Sequence, residues 1–83
     1  MKMQLPVWLV DGTKVYYVYK DGDERMMEVY TMYGDESYFG GVQSCDMEIQ
    51  KMEKLRDPWK DIMEKRRRNR LQGIRDLGQP ALF

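Results

Sequence analysis

The run KVYYVYK at residues 14–20 decides the fold, because β-branched and aromatic residues at this density are typical of a strand. An Asp-Gly pair flanks it on each side, Asp11-Gly12 before it and Asp21-Gly22 after it. Asp-Gly between two β-type runs favours a tight hairpin, since both residues tolerate the positive φ angles that such a turn requires. Two hairpins make residues 14–20 the middle strand of an antiparallel meander.

The segments outside these turns predict the remaining strands. Residues 5–10 predict a first strand, residues 25–33 a third, and residues 37–39 a short fourth strand after the turn signal Gly34-Asp35-Glu36. Gly40-Gly41 then interrupts the pattern. The sequence therefore predicts an antiparallel meander of three to four strands within residues 4–39.

Counting with both Asp-Gly pairs as two-residue loops places Trp8 opposite Val15 and Tyr16 opposite Met27. Because paired residues point to the same side of a sheet, the strands present two faces. The aliphatic face collects Leu5, Val7, Leu9, Tyr16, Val18, Met27 and Val29, and the aromatic face collects Trp8, Val10, Val15, Tyr17, Tyr19, Met26, Tyr30 and Met32.

Both faces are apolar, so both need a cover. We expect the aliphatic face to form the core beneath the helices. For the aromatic face three covers are open: a second helix, a second copy of the chain in a homodimer, or a different partner. Its candidate interface residues are Trp8, Tyr17, Tyr19 and Tyr30.

A helical period begins near residue 45, where Cys45, Ile49, Met52 and Leu55 recur at the spacing of one helix face. We predict a first helix over residues 45–56. Asp57-Pro58 interrupts it, because Pro suits the first turn of a new helix; we therefore favour a second helix over residues 58–71, the alternative being one helix kinked at this point.

On the second helix the apolar residues Trp59, Ile62 and Met63 are followed by cations. A helix that is cationic all round has nothing to pack, so we expect its last turns to project into solvent. Residues 1–72 then form one small α+β domain, and we expect residues 73–83 to be a flexible tail.

Composition argues against an enzyme. The 83 residues include no His, the commonest general base and metal ligand, and no residue pattern indicates a catalytic site, a metal site or a cofactor. Cys45 is the one cysteine, which favours a reducing compartment. Because the sequence shows neither a long apolar run nor a signal peptide, we expect a cytoplasmic protein that does not bind a membrane.

The net charge of zero conceals a strong asymmetry. Residues 1–64 carry 8 Lys/Arg against 13 Asp/Glu, whereas residues 65–83 carry 6 Lys/Arg against one Asp. The basic tract consists of Lys65, Arg66, Arg67, Arg68 and Arg70. Such a tract can neutralise DNA or RNA phosphates, dock on an acidic protein, or simply be a solvated helix end.

The last five residues, Gln79-Pro80-Ala81-Leu82-Phe83, resemble the pentapeptide by which bacterial replication and repair proteins bind the DNA sliding clamp. Gln79, Leu82 and Phe83 match its usual form, while Pro80 replaces the usual Leu. The resemblance implies partner binding through Gln79, Leu82 and Phe83, with Leu and Phe as anchors for an apolar pocket and Gln as a hydrogen-bonding group.

These features predict a non-enzymatic adaptor or inhibitor that binds the bacterial sliding clamp through its C-terminal residues, with the basic tract near DNA. Two alternatives remain open. One is a small phage-like or mobile-element inhibitor of a host nucleic-acid enzyme or defence protein. The other is a nucleic-acid-binding module in which Tyr17, Tyr19 or Tyr30 stack on bases.

Overall fold

The computed structural model describes residues 4–77, with side chains as far as Gly73. These residues form a five-stranded antiparallel sheet and one α-helix, which confirms the α+β class but exceeds the predicted strand number and falls short of two helices. The elements are β1 (Val7–Asp11), β2 (Lys14–Asp21), β3 (Glu24–Tyr33), β4 (Glu36–Ser44), β5 (Glu53–Lys54) and α1 (Asp57–Leu77).

The strand order across the sheet is β4-β3-β2-β1-β5. Strands β1 to β4 form the predicted meander, with β2 at its centre. The sequence did not predict β5, which pairs with β1 through Leu9↔Lys54 and Val10↔Glu53, because two charged residues carry no alternating pattern. β4 also extends beyond the predicted short fourth strand, to Ser44.

The predicted register is wrong by two residues in both hairpins. Trp8 pairs with Tyr17, and Tyr16 pairs with Val29. The reason lies in the turns: Gly12 and Gly22 have positive φ angles of 63° and 65°, and within residues 4–77 only glycines have a positive φ angle. Glycine thus occupies the first position of each two-residue loop. The second position is occupied by a residue with negative φ, Thr13 or Asp23, as in type II′ turns. A shift of two residues leaves every side chain on its predicted face.

The Gly40-Gly41 pair bends β4 without ending it. The pairing with β3 shifts between Val29 and Tyr30, so that Val29 lies opposite Gly41 and Tyr30 opposite Phe39. Gly40 is therefore the extra residue of a β-bulge. A side chain at this position would meet the Val29 carbonyl oxygen at 3.3 Å from its Cβ atom.

The predicted helix over residues 45–56 does not form. Residues 45–52 instead cross the aliphatic face as an irregular segment that contains one 3₁₀ turn, Ile49–Lys51. Arg25 stabilises this path, because its guanidinium donates to the carbonyl oxygens of Cys45 and Met47, both at 3.0 Å, in place of helical N–H groups. The apolar spacing was nevertheless informative, since Cys45, Ile49 and Met52 are all buried.

Leu55 explains why this spacing did not produce a helix. Cys45, Ile49 and Met52 pack on the aliphatic face, whereas Leu55 packs on the aromatic face with Trp8 and Met63. One straight helix would place its apolar stripe on a single side. The chain instead turns around the sheet edge at β5.

α1 covers the aromatic face, the first of the three covers considered above. It begins at Asp57 and continues without interruption to Leu77, past the predicted end at residue 71 and into the stretch predicted as a tail. Met63 is fully buried against the sheet and Trp59 half-buried, whereas Ile62 is 41% exposed. Among the described residues, no helix is both long and apolar enough to cross a membrane.

Candidate functional site

Glu28 is the one buried charged residue in the described part of the chain, at 4% exposure. It lies in β3 on the aromatic face, between its sheet neighbours Tyr17 in β2 and Val42 in β4. A carboxylate in such a position costs several kcal/mol, of order 3 or more, unless it is paired and hydrogen-bonded. α1 supplies the partners.

Three side chains bind the Glu28 carboxylate, and together with it we call them the Glu28 cluster. Arg67 is bidentate, with Nε at 2.9 Å from Oε1 and Nη2 at 3.0 Å from Oε2. Arg70 donates from Nη2 to Oε1 at 3.2 Å, and the Tyr30 hydroxyl donates to the same oxygen at 2.6 Å. The bidentate geometry fixes the orientation of α1 on the sheet.

The Glu28 cluster holds two guanidinium groups against one carboxylate, and aromatic rings accommodate the surplus charge. The Arg67 guanidinium carbon lies 4.1 Å from the Tyr17 ring centroid, and that of Arg70 lies 3.8 Å from the Phe39 centroid. Both distances are within the range of cation–π attraction. The aromatic face thus binds cations as well as apolar side chains.

The pKa values in the Glu28 cluster favour the ion pairs. Burial alone would raise the pKa of Glu28, but the hydrogen bonds from Arg67 and Tyr30 and the charges of Arg67 and Arg70 lower it below its ordinary value. Burial and the hydrogen bond to Glu28 raise the pKa of Tyr30 to about 12. Burial opposes the charge of Arg67, yet its contacts with Glu28 raise its pKa. All three groups therefore keep their usual charge at neutral pH.

Arg66 also contacts the sheet, at the β3–β4 turn. Its Nη1 donates to the Ser37 hydroxyl at 3.1 Å, and its Nη2 donates to the Asp35 carbonyl oxygen. Its guanidinium carbon lies 5.8 Å from the Trp59 ring centroid. These contacts hold the third turn of α1 against the end of the meander.

The expectation that the basic tract projects into solvent is therefore wrong for this part of α1. Arg66, Arg67 and Arg70 pack on the sheet because aromatic rings and Glu28 offer them partners, whereas Lys65 and Arg68 are exposed. The side of α1 that faces the sheet is thus apolar in its first turns and carries arginines in the turns that follow.

The other candidate residues are distributed as follows. Trp8 and Tyr30, each 3% exposed, lie beneath α1, and Tyr17 and Tyr19 are half-buried. The aromatic face is therefore closed by the chain itself and does not offer Trp8 or Tyr30 to a second copy. Gln79, Leu82 and Phe83 lie outside the described residues.

Glu28 is the residue that sequence reasoning missed, although a signal for it existed. It interrupts the alternation Met26, Tyr30, Met32 at a position that must point to the aromatic face. A single carboxylate in an apolar stripe needs a buried cation. The arginines of the basic tract were the obvious source.

A shallow cleft of about 740 Å³ opens beside the Glu28 cluster. Two tyrosines and three cations contribute to its lining: Tyr17, Tyr19, Lys20, Arg25 and Arg67. The Tyr17 and Tyr19 ring centroids are 5.8 Å apart. Lys20 is exposed, whereas Arg25 and Arg67 are already bound to the protein. The cleft therefore combines aromatic surface with positive charge.

The arrangement of the Glu28 cluster suits anchoring better than proton transfer, because both carboxylate oxygens accept hydrogen bonds from groups that stay charged or protonated at neutral pH. Among residues 4–77, no group of three or more His, Cys, Asp or Glu side chains could hold a metal ion. The cluster therefore positions α1 on the sheet.

Comparisons of this chain with protein-family models, with curated proteins and with solved structures give no match.

Proposed function

We propose that this protein is a non-enzymatic binding protein that docks on a bacterial DNA sliding clamp through residues 79–83. The observation that carries the proposal is the motif itself, with Gln79, Leu82 and Phe83 in the expected order. A single residue, Gly78, separates it from the end of α1 at Leu77. The motif thus follows a helix whose packing on the sheet is well defined.

The way α1 is held supports this proposal. Buried Met63 and the bidentate Arg67–Glu28 pair attach the helix to the sheet. Beyond Arg70 the helix continues for seven residues, about 10 Å at 1.5 Å per residue. A binding segment attached to a well-anchored helix loses less freedom on docking than one at the end of a long linker.

The test is binding of the full chain to a purified clamp, measured by calorimetry. Leu82→Ala together with Phe83→Ala removes both anchors, and we expect affinity to fall at least about thirtyfold, since one anchor residue contributes about 2 kcal/mol. The matched control is Ile62→Ala with Leu71→Ala, which truncates two exposed apolar residues of α1 and should leave affinity unchanged. Absence of binding by the wild type, or equal affinity of both double variants, refutes the proposal.

A second candidate function is contact with single-stranded nucleic acid, and the cleft beside the Glu28 cluster favours it. Tyr17 and Tyr19 provide ring surface for base stacking, and Lys20 provides an exposed cation. The exposed Arg68 lines a smaller adjoining cleft with Tyr17. In this candidate the phosphate contacts come from Lys20 and Arg68, not from the whole basic tract.

A further inference from the structure

The two edges of the sheet differ in their capacity to accept another strand. One edge is β5, which has two residues, both charged. The other is β4, with nine residues and a length of about 31 Å at 3.4 Å per residue. Within residues 4–77, no backbone hydrogen bond reaches the outer side of β4. An unpaired strand of this length is a template for pairing.

β4 also concentrates the exposed apolar side chains of the described residues. Four of the six large hydrophobic residues that are exposed lie in β4 or at the adjoining end of β3: Tyr33, Tyr38, Phe39 and Val42. Edge strands that avoid association usually carry lysine, proline or inward-pointing charge. β4 has none of these, and its one charged residue, Glu36, stands at its end. The bulge at Gly40 is the one protective feature.

We propose that β4 pairs with β4 of a second copy of this chain, in antiparallel orientation, to form a continuous ten-stranded sheet. The two-fold axis of such a pair must be perpendicular to the sheet, so both copies present the same face on the same side. Paired residues must therefore come from the same face. This condition restricts the register to few possibilities.

One register satisfies the condition on both sides of the bulge. Phe39, on the aromatic face beside Tyr30, lies opposite Val42 of the second copy, which is on the same face beside Glu28. Tyr38 lies opposite Gln43 on the other face, and the glycine pair falls on the two-fold axis. The bulges of the two copies then coincide, and residues 37–39 of each copy pair with residues 42–44 of the other.

Charge and symmetry select a second copy as the occupant. In this register the two Glu36 side chains lie at opposite ends of the paired strands, about 30 Å apart at 3.4 Å per residue, so they do not repel each other appreciably. Each copy contributes one Phe39–Val42 pair, an aromatic–β-branched combination that stabilises sheets. Because β5 cannot extend the sheet, association stops at two copies instead of continuing into a fibre.

The test is sedimentation equilibrium of the full chain over roughly 10 to 500 μM, a range that detects dimers of micromolar affinity. We expect a monomer–dimer equilibrium in the wild type. Tyr38→Lys combined with Gln43→Lys places two pairs of lysines opposite each other in the dimer. The dimer affinity should therefore fall at least about tenfold. Tyr38→Lys combined with Gln43→Glu places opposite charges there instead and should restore dimerisation to within about threefold of wild type.

The matched control is Ile62→Lys with Leu71→Lys, which adds the same charge at two exposed apolar positions of α1 and should leave the dimer intact. Circular dichroism establishes that each variant is folded. Should the double-lysine variant fail to fold, hydrogen exchange of the wild type decides, because β4 amides must gain protection as concentration rises. A monomeric wild type at all concentrations, a control as weakened as the double-lysine variant, or β4 protection independent of concentration overturns the proposal.

Discussion

Glu28 shows how one residue can determine the attachment of a whole helix. Its carboxylate is buried at the centre of the aromatic face, where desolvation is expensive, and the arginines of α1 at positions 67 and 70 remove that cost. They are spaced by three residues, so both reach the same side of the helix. The basic tract is thus partly a structural counterpart of Glu28.

At the residue scale we predict that Glu28→Gln destabilises the fold by about 3 kcal/mol at pH 7, because two part-buried guanidinium groups lose their counter-charge. The pKa of Glu28 is lowered in the folded state. Its contribution to stability is therefore complete above the ordinary value of about 4.5 and is lost as pH falls below that value. Urea unfolding from pH 7 to pH 3 should show the wild-type and variant free energies converging in acid.

Glu48→Gln provides the control for this measurement. Glu48 also pairs with a cation, Lys51 at 2.9 Å, but both side chains are largely exposed, so its removal should change stability by less than about 0.5 kcal/mol. A Glu28→Gln variant as stable as the Glu48→Gln variant contradicts a stabilising role for the Glu28 cluster.

At the scale of elements, local sequence patterns predicted the meander and the faces of β1 to β3, but they did not predict which segments cover the two faces of the sheet. The run at residues 14–20 is the central strand, and the residues of β1 to β3 that were assigned to a face lie on that face, because a two-residue register error preserves the side-chain alternation. The error arose because Asp-Gly permits two turn geometries. Which one forms depends on whether glycine takes the first or the second loop position.

The segments that cover the two sheet faces could not be predicted, because the spacing of apolar residues does not specify the face on which a segment packs. Cys45, Ile49 and Met52 fit a helix as well as an irregular crossing, and Leu55 belongs to the opposite face. The candidate site was missed for a related reason. An arginine carries no signal in a hydrophobic pattern, although its guanidinium packs on aromatic rings.

A prediction at this scale tests the orientation of α1. Met63→Ala should destabilise the fold by about 2–4 kcal/mol, because the side chain is fully buried between α1 and the sheet. Ile62→Ala, one residue earlier and 41% exposed, should cost less than about 1 kcal/mol. Thermal and urea unfolding of the two variants check this difference. Equal losses would place the helix in a different rotation about its axis.

At the scale of the whole molecule, folding reduces the charge asymmetry seen in the sequence. The acidic part contains Glu28, and the basic tract folds back on it, so two of the five cations are already engaged by one carboxylate and by aromatic rings. Arg66 is bound to Ser37 and Asp35 in the β3–β4 turn. The positive charge available to a partner is consequently smaller than the sequence indicates.

This reduction has a measurable consequence for nucleic-acid binding. If Lys20 and Arg68 make the phosphate contacts, log Kobs for a single-stranded oligonucleotide should fall with log salt at a slope of about −1.4, at 0.7 per contact. Five contacts from the whole basic tract would give about −3.5. Fluorescence anisotropy between 50 and 200 mM salt, roughly the range over which such slopes are determined, separates the two values.

Lys20→Ala with Arg68→Ala should abolish most of this salt dependence. The control, Lys14→Ala with Lys51→Ala, removes the same charge at positions outside the cleft and should leave the slope unchanged. The physical reason is that counterions are released only where a cation meets a phosphate. A wild-type slope near −3.5 would mean that Arg67 and Arg70 leave Glu28 on binding, and the Glu28 cluster would then be a switch and not an anchor. Absence of binding at the lowest salt concentration eliminates the nucleic-acid candidate, and the clamp motif then remains as the proposed function.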